Sequence, residues 1–285
     1  MTPCRPCRGR LPQFTGTFDR CTKATMRPLD PDKYSFSLAE KAVVVTGASR
    51  GLGESIALGF AAAGARLVLA ARSTAAIEAL AGEITSQGRQ AVAVPADLTR
   101  PEDCERVMER AVTEFGSLDI AVNNAGLPMR AGPTTEVTPD QWRQILDANL
   151  TTAFYCCQSA GRRMIGHGGG KIVNMSSMLG LVGYPQRAVY AAAKGAINQL
   201  TRVLALEWAE HGICVNALAP THIETDWNKA RVREEAFVDE MLPQIPLGRI
   251  GIPEEVVGAT IFLCSSAADL ITGQVLAVDG GWTAR

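Results

Sequence analysis

The chain has 285 residues, 47% of them hydrophobic and 20% charged, with a formal net charge of -1. That balance is ordinary for a globular protein and argues against nucleic acid or an anionic membrane surface as the main partner. No apolar run approaches the ~20 residues that span a bilayer, and a chain this long needs no disulfide framework for its eight cysteines. With no signal peptide in view, a reducing compartment, the cytoplasm, is expected.

Residues 1–37 differ from the rest. They hold Pro3, Pro6, Pro12, Pro28 and Pro31, three cysteines and scattered arginines, with no helical or strand period. They are expected to be a flexible N-terminal extension, within which Met26 is a second candidate start. Cys4-Arg-Pro-Cys7 has the spacing of half a zinc knuckle, but no second pair follows, so no metal is expected. Acidic Asp19, Asp30 and Asp32 speak against a transit peptide.

From residue 38 the pattern changes. Short β-rich runs begin at Ala42, Arg66, Ala91, Leu118, Lys171, Ile213 and Gln274, and alanine-rich helical segments such as Leu52 to Ala63 and Ala188 to His211 lie between them. Near-continuous apolar strands suit a parallel sheet buried on both faces. Residues 38–285 are therefore expected to form one α/β domain: a doubly wound, mostly parallel, seven-stranded Rossmann-type sheet with helices on both faces.

The first strand runs into Thr46-Gly47-Ala48-Ser49-Arg50-Gly51-Leu52-Gly53 and then a helix. Glycines let a pyrophosphate approach the backbone, and the helix N-terminus offers it free N–H groups. After the second strand, where an NAD site carries an acid for the ribose 2′-hydroxyl, stands Arg72. With Arg50 it suits a 2′-phosphate, so NADP(H) is expected over NAD(H).

These residues, with those downstream, resemble the short-chain dehydrogenase/reductase family over roughly Leu38 to Trp282. The resemblance implies a cofactor turn at Thr46 to Gly53 and an adenine contact at Asp97 and Leu98. It implies further cofactor contacts at Asn124, Ala125 and Gly126 of the Asn123-Asn124-Ala125-Gly126 motif, and at Pro220, Ile223 and Thr225 after the sixth strand. It also implies a catalytic tetrad of Asn149, Ser177, Tyr190 and Lys194, with thirteen residues from Ser177 to Tyr190. In that scheme Lys194 holds the nicotinamide ribose and Asn149 anchors a water that connects it to solvent. Thr221 departs from the family's usual glycine, which puts the local backbone in question.

Tyr190 and Lys194 stand four apart in a helix and share a face. The ammonium and the oxidised nicotinamide together are expected to lower the tyrosine's pKa towards the working range, making it the general acid and base, while Ser177 hydrogen-bonds the substrate oxygen. Ser176 is the adjacent rival. Leu127, Met129, Met178, Leu179, Tyr184 and Trp227 are candidates for the substrate pocket, with core packing the plainer reading of the methionines. Arg187 is a candidate partner for an acidic substrate group, against the plainer reading of a solvated arginine. His167, His211 and His222 form no ligand pattern and are read as surface or loop. Glu224 to Leu247 reads as a mobile lid.

The expected activity is NAD(P)H-dependent interconversion of a secondary alcohol and a ketone. Its variants are a 3-oxoacyl-[acyl-carrier-protein] reductase and a sugar-acid or polyol dehydrogenase, and the contrasting class is a non-catalytic NADP(H) sensor. The resemblance also implies a homotetramer, packed through Pro101 to Phe115, Leu150 to Ile165 and the C-terminal region, with Trp282 as an interface anchor.

Overall fold

A computed structural model describes residues 35–128 and 132–284. Seven parallel strands form one sheet: β1 (Ala42–Thr46), β2 (Arg66–Ala71), β3 (Ala91–Pro95), β4 (Ile120–Asn123), β5 (Gly170–Met175), β6 (Ile213–Pro220) and β7 (Val275–Val278). Their order is β3-β2-β1-β4-β5-β6-β7, so the winding reverses between β1 and β4. A crevice opens at such a switch point beyond the strands' C-terminal ends.

Alternation along the strands sorts the core into two layers. Val43, Val45, Leu67 and Leu69 face one side, and Val44, Val68 and Ala70 the other. The first side is covered by α1 (Gly51–Ala62), α2 (Thr74–Ser86) and α9 (Pro253–Cys264), the second by α3 (Pro101–Phe115), α5 (Thr152–His167) and α6 (Ala188–Trp208). Phe60 is fully buried under the first layer, where truncation to alanine costs about 3–5 kcal/mol. Shorter helices α4 (Pro139–Leu146), α7 (Lys229–Val232) and α8 (Glu235–Met241) fill the connections. α4 starts on a capping box in which Thr138 and Gln141 exchange side-chain and backbone hydrogen bonds.

The expected architecture stands, with local differences. Residues just before 38 also pack on the body: the Phe36 ring lies 6.1 Å from Phe262 and Ser266 donates a hydrogen bond to the Ser35 carbonyl. Residues 1–34, including Cys4, Cys7 and Met26, lie outside the described residues. β4 starts at Ile120, and just before it the Asp119 carboxylate accepts from the Ala42 N–H at 2.8 Å and the Ser117 hydroxyl. The helix expected from Leu150 is preceded by a π turn, Asp147–Thr151, a widening often found at functional sites. After Trp208, a 3₁₀ turn leads to left-handed Gly212. Cys104, Cys156, Cys157, Cys214 and Cys264 are free thiols, four of them buried.

Candidate active site

The glycine turn sits at the end of β1, on the switch point. Gly47 takes φ +66°, and a Cβ on Gly53 would stand 2.2 Å from the Gly47 carbonyl oxygen. The turn therefore closes only around glycine at position 53. Asn124 braces it by donating from Nδ2 to the carbonyls of Thr46 (3.0 Å) and Gly47 (3.3 Å), while the Thr46 hydroxyl accepts the N–H groups of Asn124 and Ala125. The Asn124 side chain is thus a strut between β1 and β4. Arg50 caps α1 without a side-chain hydrogen bond, so the first-turn amides at Leu52 and Gly53, beside half-buried Ser49, are open to an anion. Thr225 arches over from the loop after β6, within 3.7 Å of where a Gly51 Cβ would lie.

Arg50 and Arg72 are both exposed, and neither makes an ion pair among the described residues. Trp227, expected in the substrate pocket, is instead exposed with the Arg50 guanidinium 4.9 Å from its ring centroid; cation–π attraction holds it on the cofactor side. Asp97 closes the end of β3 by accepting from the Thr99 N–H and hydroxyl, with Leu98 buried beside it. The residues present fit a dinucleotide with a 2′-phosphate: a backbone cradle that excludes side chains, free helix amides and two unpaired cations.

Beyond the sheet's edge, α6 carries Tyr190 and Lys194 one turn apart. Lys194 is 4% exposed; its Nζ lies 5.5 Å from the Tyr190 ring centroid and donates to the Met175 carbonyl at 2.8 Å. Burial pulls its pKa down to about 8. The lowering expected of Tyr190 rests partly on the oxidised nicotinamide, and the protein's own groups on balance act the other way. Burial drives its pKa up to about 12, and the hydrogen bond with Ser177 only partly offsets this. The lysine's proton is directed at a backbone carbonyl rather than at the phenol, so desolvation wins.

Ser177 accepts from the Leu179 N–H and meets the tyrosine, whereas Ser176 donates to Asn198 Oδ1 at 2.5 Å and to the Lys194 carbonyl. Ser176 is thereby committed to packing, and Ser177 is the hydroxyl facing Tyr190. Asn149 sits in the π turn, its Nδ2 donating to the carbonyls of Leu127 and Ile145. Its Oδ1 is buried without a partner. A Cβ on Gly126 would come within 2.6 Å of that oxygen and 3.8 Å of Lys194 Nζ, so Gly126 keeps a gap between the orphan acceptor and the lysine.

A small cavity of about 40 Å³, lined by none of the four tetrad residues, begins at Met178 next to Ser177 and is walled by Met178, Leu179 and Tyr184 on the body and by Phe237, Glu240 and Met241 of the α8 region. Tyr184 donates to Glu240 across it at 3.0 Å. Met129 lies outside the described residues, and Leu127 contributes its carbonyl to Asn149. His222 was not expected here. Its ring packs edge-on to Phe237 and Trp282, and burial, then Arg187 and Arg231, push its pKa down to about 4. Trp282 is 5% exposed and packed against Tyr184 within the chain, so it is a wall of this cavity and not a surface anchor. A larger cavity, about 450 Å³, lies between the loop after β6 and the end of β7, and none of the four tetrad residues lines it. Thr221 borders it, pairs its N–H with the Val278 carbonyl, and turns its hydroxyl to the Met178 sulfur. Its φ is outside the left-handed region, so threonine is accommodated without strain. The described residues contain no cluster of three or more metal-ligating side chains and no helix long and apolar enough to cross a membrane.

The sequence matches the family described as Enoyl-(Acyl carrier protein) reductase over residues 47–283. It is 40% identical over 254 residues to 2-dehydro-3-deoxy-D-gluconate 5-dehydrogenase of Escherichia coli (strain K12), covering 88% of this chain and 98% of that one. It is 41% identical over 251 residues to galactitol 2-dehydrogenase (L-tagatose-forming) of Cereibacter sphaeroides, covering 87% and 97%. Among solved structures it is similar to a gluconate 5-dehydrogenase from Burkholderia cenocepacia J2315 in complex with NADP and tartrate, with 37% identity, a TM-score of 0.84, and 89% and 99% of the two chains covered. Fold and relatives together define the class: an oxidoreductase that interconverts secondary alcohols and ketones. The chain belongs to the short-chain dehydrogenase/reductase family.

Proposed function

We propose that this protein is an NADP(H)-preferring reductase and dehydrogenase of a small polyhydroxylated ketone or alcohol, with Tyr190 as its general acid and base. The observation that carries the reading is the convergence of the Tyr190 hydroxyl, Ser177 and buried Lys194 beside the glycine turn at the sheet's C-terminal edge. The names of the relatives supply the substrate class, which spans sugar acids and a neutral polyol. Arg50 and Arg72 support the preference for the 2′-phosphate, as does the NADP of the Burkholderia structure.

The nicotinamide supplies or accepts the hydride. The protein orients the carbonyl and manages one proton. Ser177 donates to the carbonyl oxygen as negative charge grows on it. Tyr190, kept as the neutral phenol by burial, gives that oxygen its proton in reduction. Lys194 then stabilises the phenolate left behind. The unpartnered Asn149 Oδ1 beside it accepts a hydrogen from a water that restores the proton.

We further propose a homotetramer in the cytoplasm. Exposed Phe154 and Ile165 on α5, Val203 and Leu206 on α6, and Leu270 and Leu276 near β7 support this, since they offer apolar surface for a partner. The outward face of α3 instead carries ion pairs such as Arg110–Glu114. A carrier-bound acyl substrate is the second reading, on the family's description. A panel of ketones, keto acids and acetoacetyl carrier protein, followed at 340 nm with NADPH and NADH, tests all of this. The expected result is turnover of a free polyhydroxylated ketone with NADPH favoured; reduction of the carrier substrate alone supports the second reading, and no turnover of anything refutes both.

A further inference from the structure

Two guanidinium groups line the cavity near Tyr190, and among the described residues no carboxylate stands at ion-pair distance from either. Arg187 has one long hydrogen bond to its neighbour's carbonyl (3.4 Å), and Arg231 stands over the Phe237 ring at 5.7 Å. Two positions on, Arg233 is fully paired with Glu224 at 2.6 Å. The same short segment thus neutralises one arginine outside the cavity and leaves the other to face in. The one carboxylate on the wall, Glu240, is engaged by the Tyr184 hydroxyl at 3.0 Å.

We propose that Arg187 and Arg231 form the seat for a carboxylate of the substrate, a few carbons from the carbonyl that Tyr190 protonates, so that this site selects a keto acid over the neutral ketose. The inference rests on the ketone-reducing reading given above and adds the chemical class and the residues that read it. Arg187 is the N-cap of α6, three positions before Tyr190, which sets the two residues about one helical turn apart along the chain. The distance between seat and proton donor therefore suits a short linear acid. Planar guanidinium forks match a carboxylate in two-point geometry, and Phe237, Trp282 and Met178 supply the apolar part of the same wall.

Both arginines share the cavity wall with His222 and help to push its pKa down. His222 is neutral there at physiological pH, so two guanidinium groups against Glu240 leave the wall net positive without a substrate. Arg231 belongs to α7 and Arg187 to the body. A carboxylate held by both would draw the segment from Glu224 to Leu247 onto the body, giving that lid a ligand-dependent reason to close. A neutral polyol leaves both guanidinium groups unpaired in a partly dry cavity, which is how a polar site rejects an analogue lacking the matching group.

The test is calorimetric titration of the NADP-saturated enzyme with D-gluconate and with D-sorbitol, its neutral counterpart. Alongside it, reduction of 5-keto-D-gluconate and of L-sorbose, the same skeleton with CH₂OH for the carboxylate, is measured for wild type, R187Q and R231Q. Wild type is expected to bind the acid at least ~10-fold more tightly than the polyol. Each variant is expected to weaken gluconate binding and raise KM for the keto acid about 10- to 100-fold. kcat and all sorbitol and sorbose parameters should stay within about threefold, and Arg→Lys variants should recover part of the loss. Equal wild-type affinity for acid and polyol, absence of gluconate binding, or equal losses on both substrates overturns the seat. Binding needs no turnover, so the two claims separate. Arginine-dependent gluconate binding with no ketone reduced refutes the activity and leaves the seat, whereas equal turnover of acid and sorbose with wild-type values in both variants does the reverse.

Discussion

The two halves of the cleft are built from different materials. The cofactor half is mostly backbone: a left-handed Gly47, a Gly53 that nothing else can replace, open amides at the head of α1, and an asparagine strut tying β1 to β4. The substrate half is mostly side chains from distant segments, with Tyr184, His222, Phe237 and Trp282 stacked across connections that hold few buried residues of their own. A backbone cradle tolerates little substitution and binds one group. A side-chain wall is exchanged residue by residue, which is how one fold serves many alcohols.

The largest expected effect on cofactor binding follows from breaking the cradle. Gly53→Ala places a methyl group 2.2 Å from the Gly47 oxygen and 2.5 Å from Asn124 Nδ2, so the turn must open. NADPH affinity, followed by fluorescence titration, is expected to fall at least ~100-fold, about 3 kcal/mol. Unchanged affinity would mean the turn is not the pyrophosphate seat. Next comes the edge of the same half. Arg72→Asp removes a cation and installs the acid that an NAD site uses, so the ratio of kcat/KM for NADPH over NADH should drop about 10- to 100-fold. A constant ratio would remove Arg72 from the 2′-phosphate.

The smallest effect sits where the halves meet. Burial lowers the Lys194 pKa from 10.5 to about 8. Between those two values the unfolded chain holds a proton that the folded chain has released, so wild-type stability rises with pH across that window. Lys194→Met has no such window. It should be inactive yet roughly 1–3 kcal/mol more stable than wild type at pH 7, an advantage fading from about pH 8 and gone by about pH 10.5. Denaturant unfolding at pH 7, 9 and 10.5 checks this, and a destabilised variant at pH 7 would contradict it. A stabilised, inactive protein would show that the site holds a charge the fold alone disfavours.

The same division explains what the sequence revealed. Strands buried on both faces read as apolar runs, so the sheet was visible before any coordinates, and glycine spacing marked the turn because backbone geometry leaves no alternative residue. Ser177 was separable from Ser176 by spacing, and packing supplies the reason, since Ser176 is consumed by Asn198. The misses are side chains whose roles depend on remote partners. A lone His222 carries no local signal, and its place follows from Phe237 and Trp282 folding over it. Trp227 looked like a pocket residue but stacks on Arg50. The π turn at Asp147–Thr151 is set by the two carbonyls that hold Asn149, one of them 22 residues away. For Tyr190, helix spacing to Lys194 suggested a lowered pKa, whereas the depth of the site, which no spacing encodes, raises it.

The claim on which the rest depends is that the Tyr190 hydroxyl delivers the proton at the meeting point of the two halves. Single-turnover reduction of a ketone substrate by NADPH, in wild type and Tyr190→Phe with NADPH affinity measured in parallel, tests it most directly. The account predicts a rate lower by about 10²- to 10⁴-fold with cofactor affinity within about threefold of wild type. A Tyr190→Phe enzyme turning over at close to the wild-type rate would contradict it.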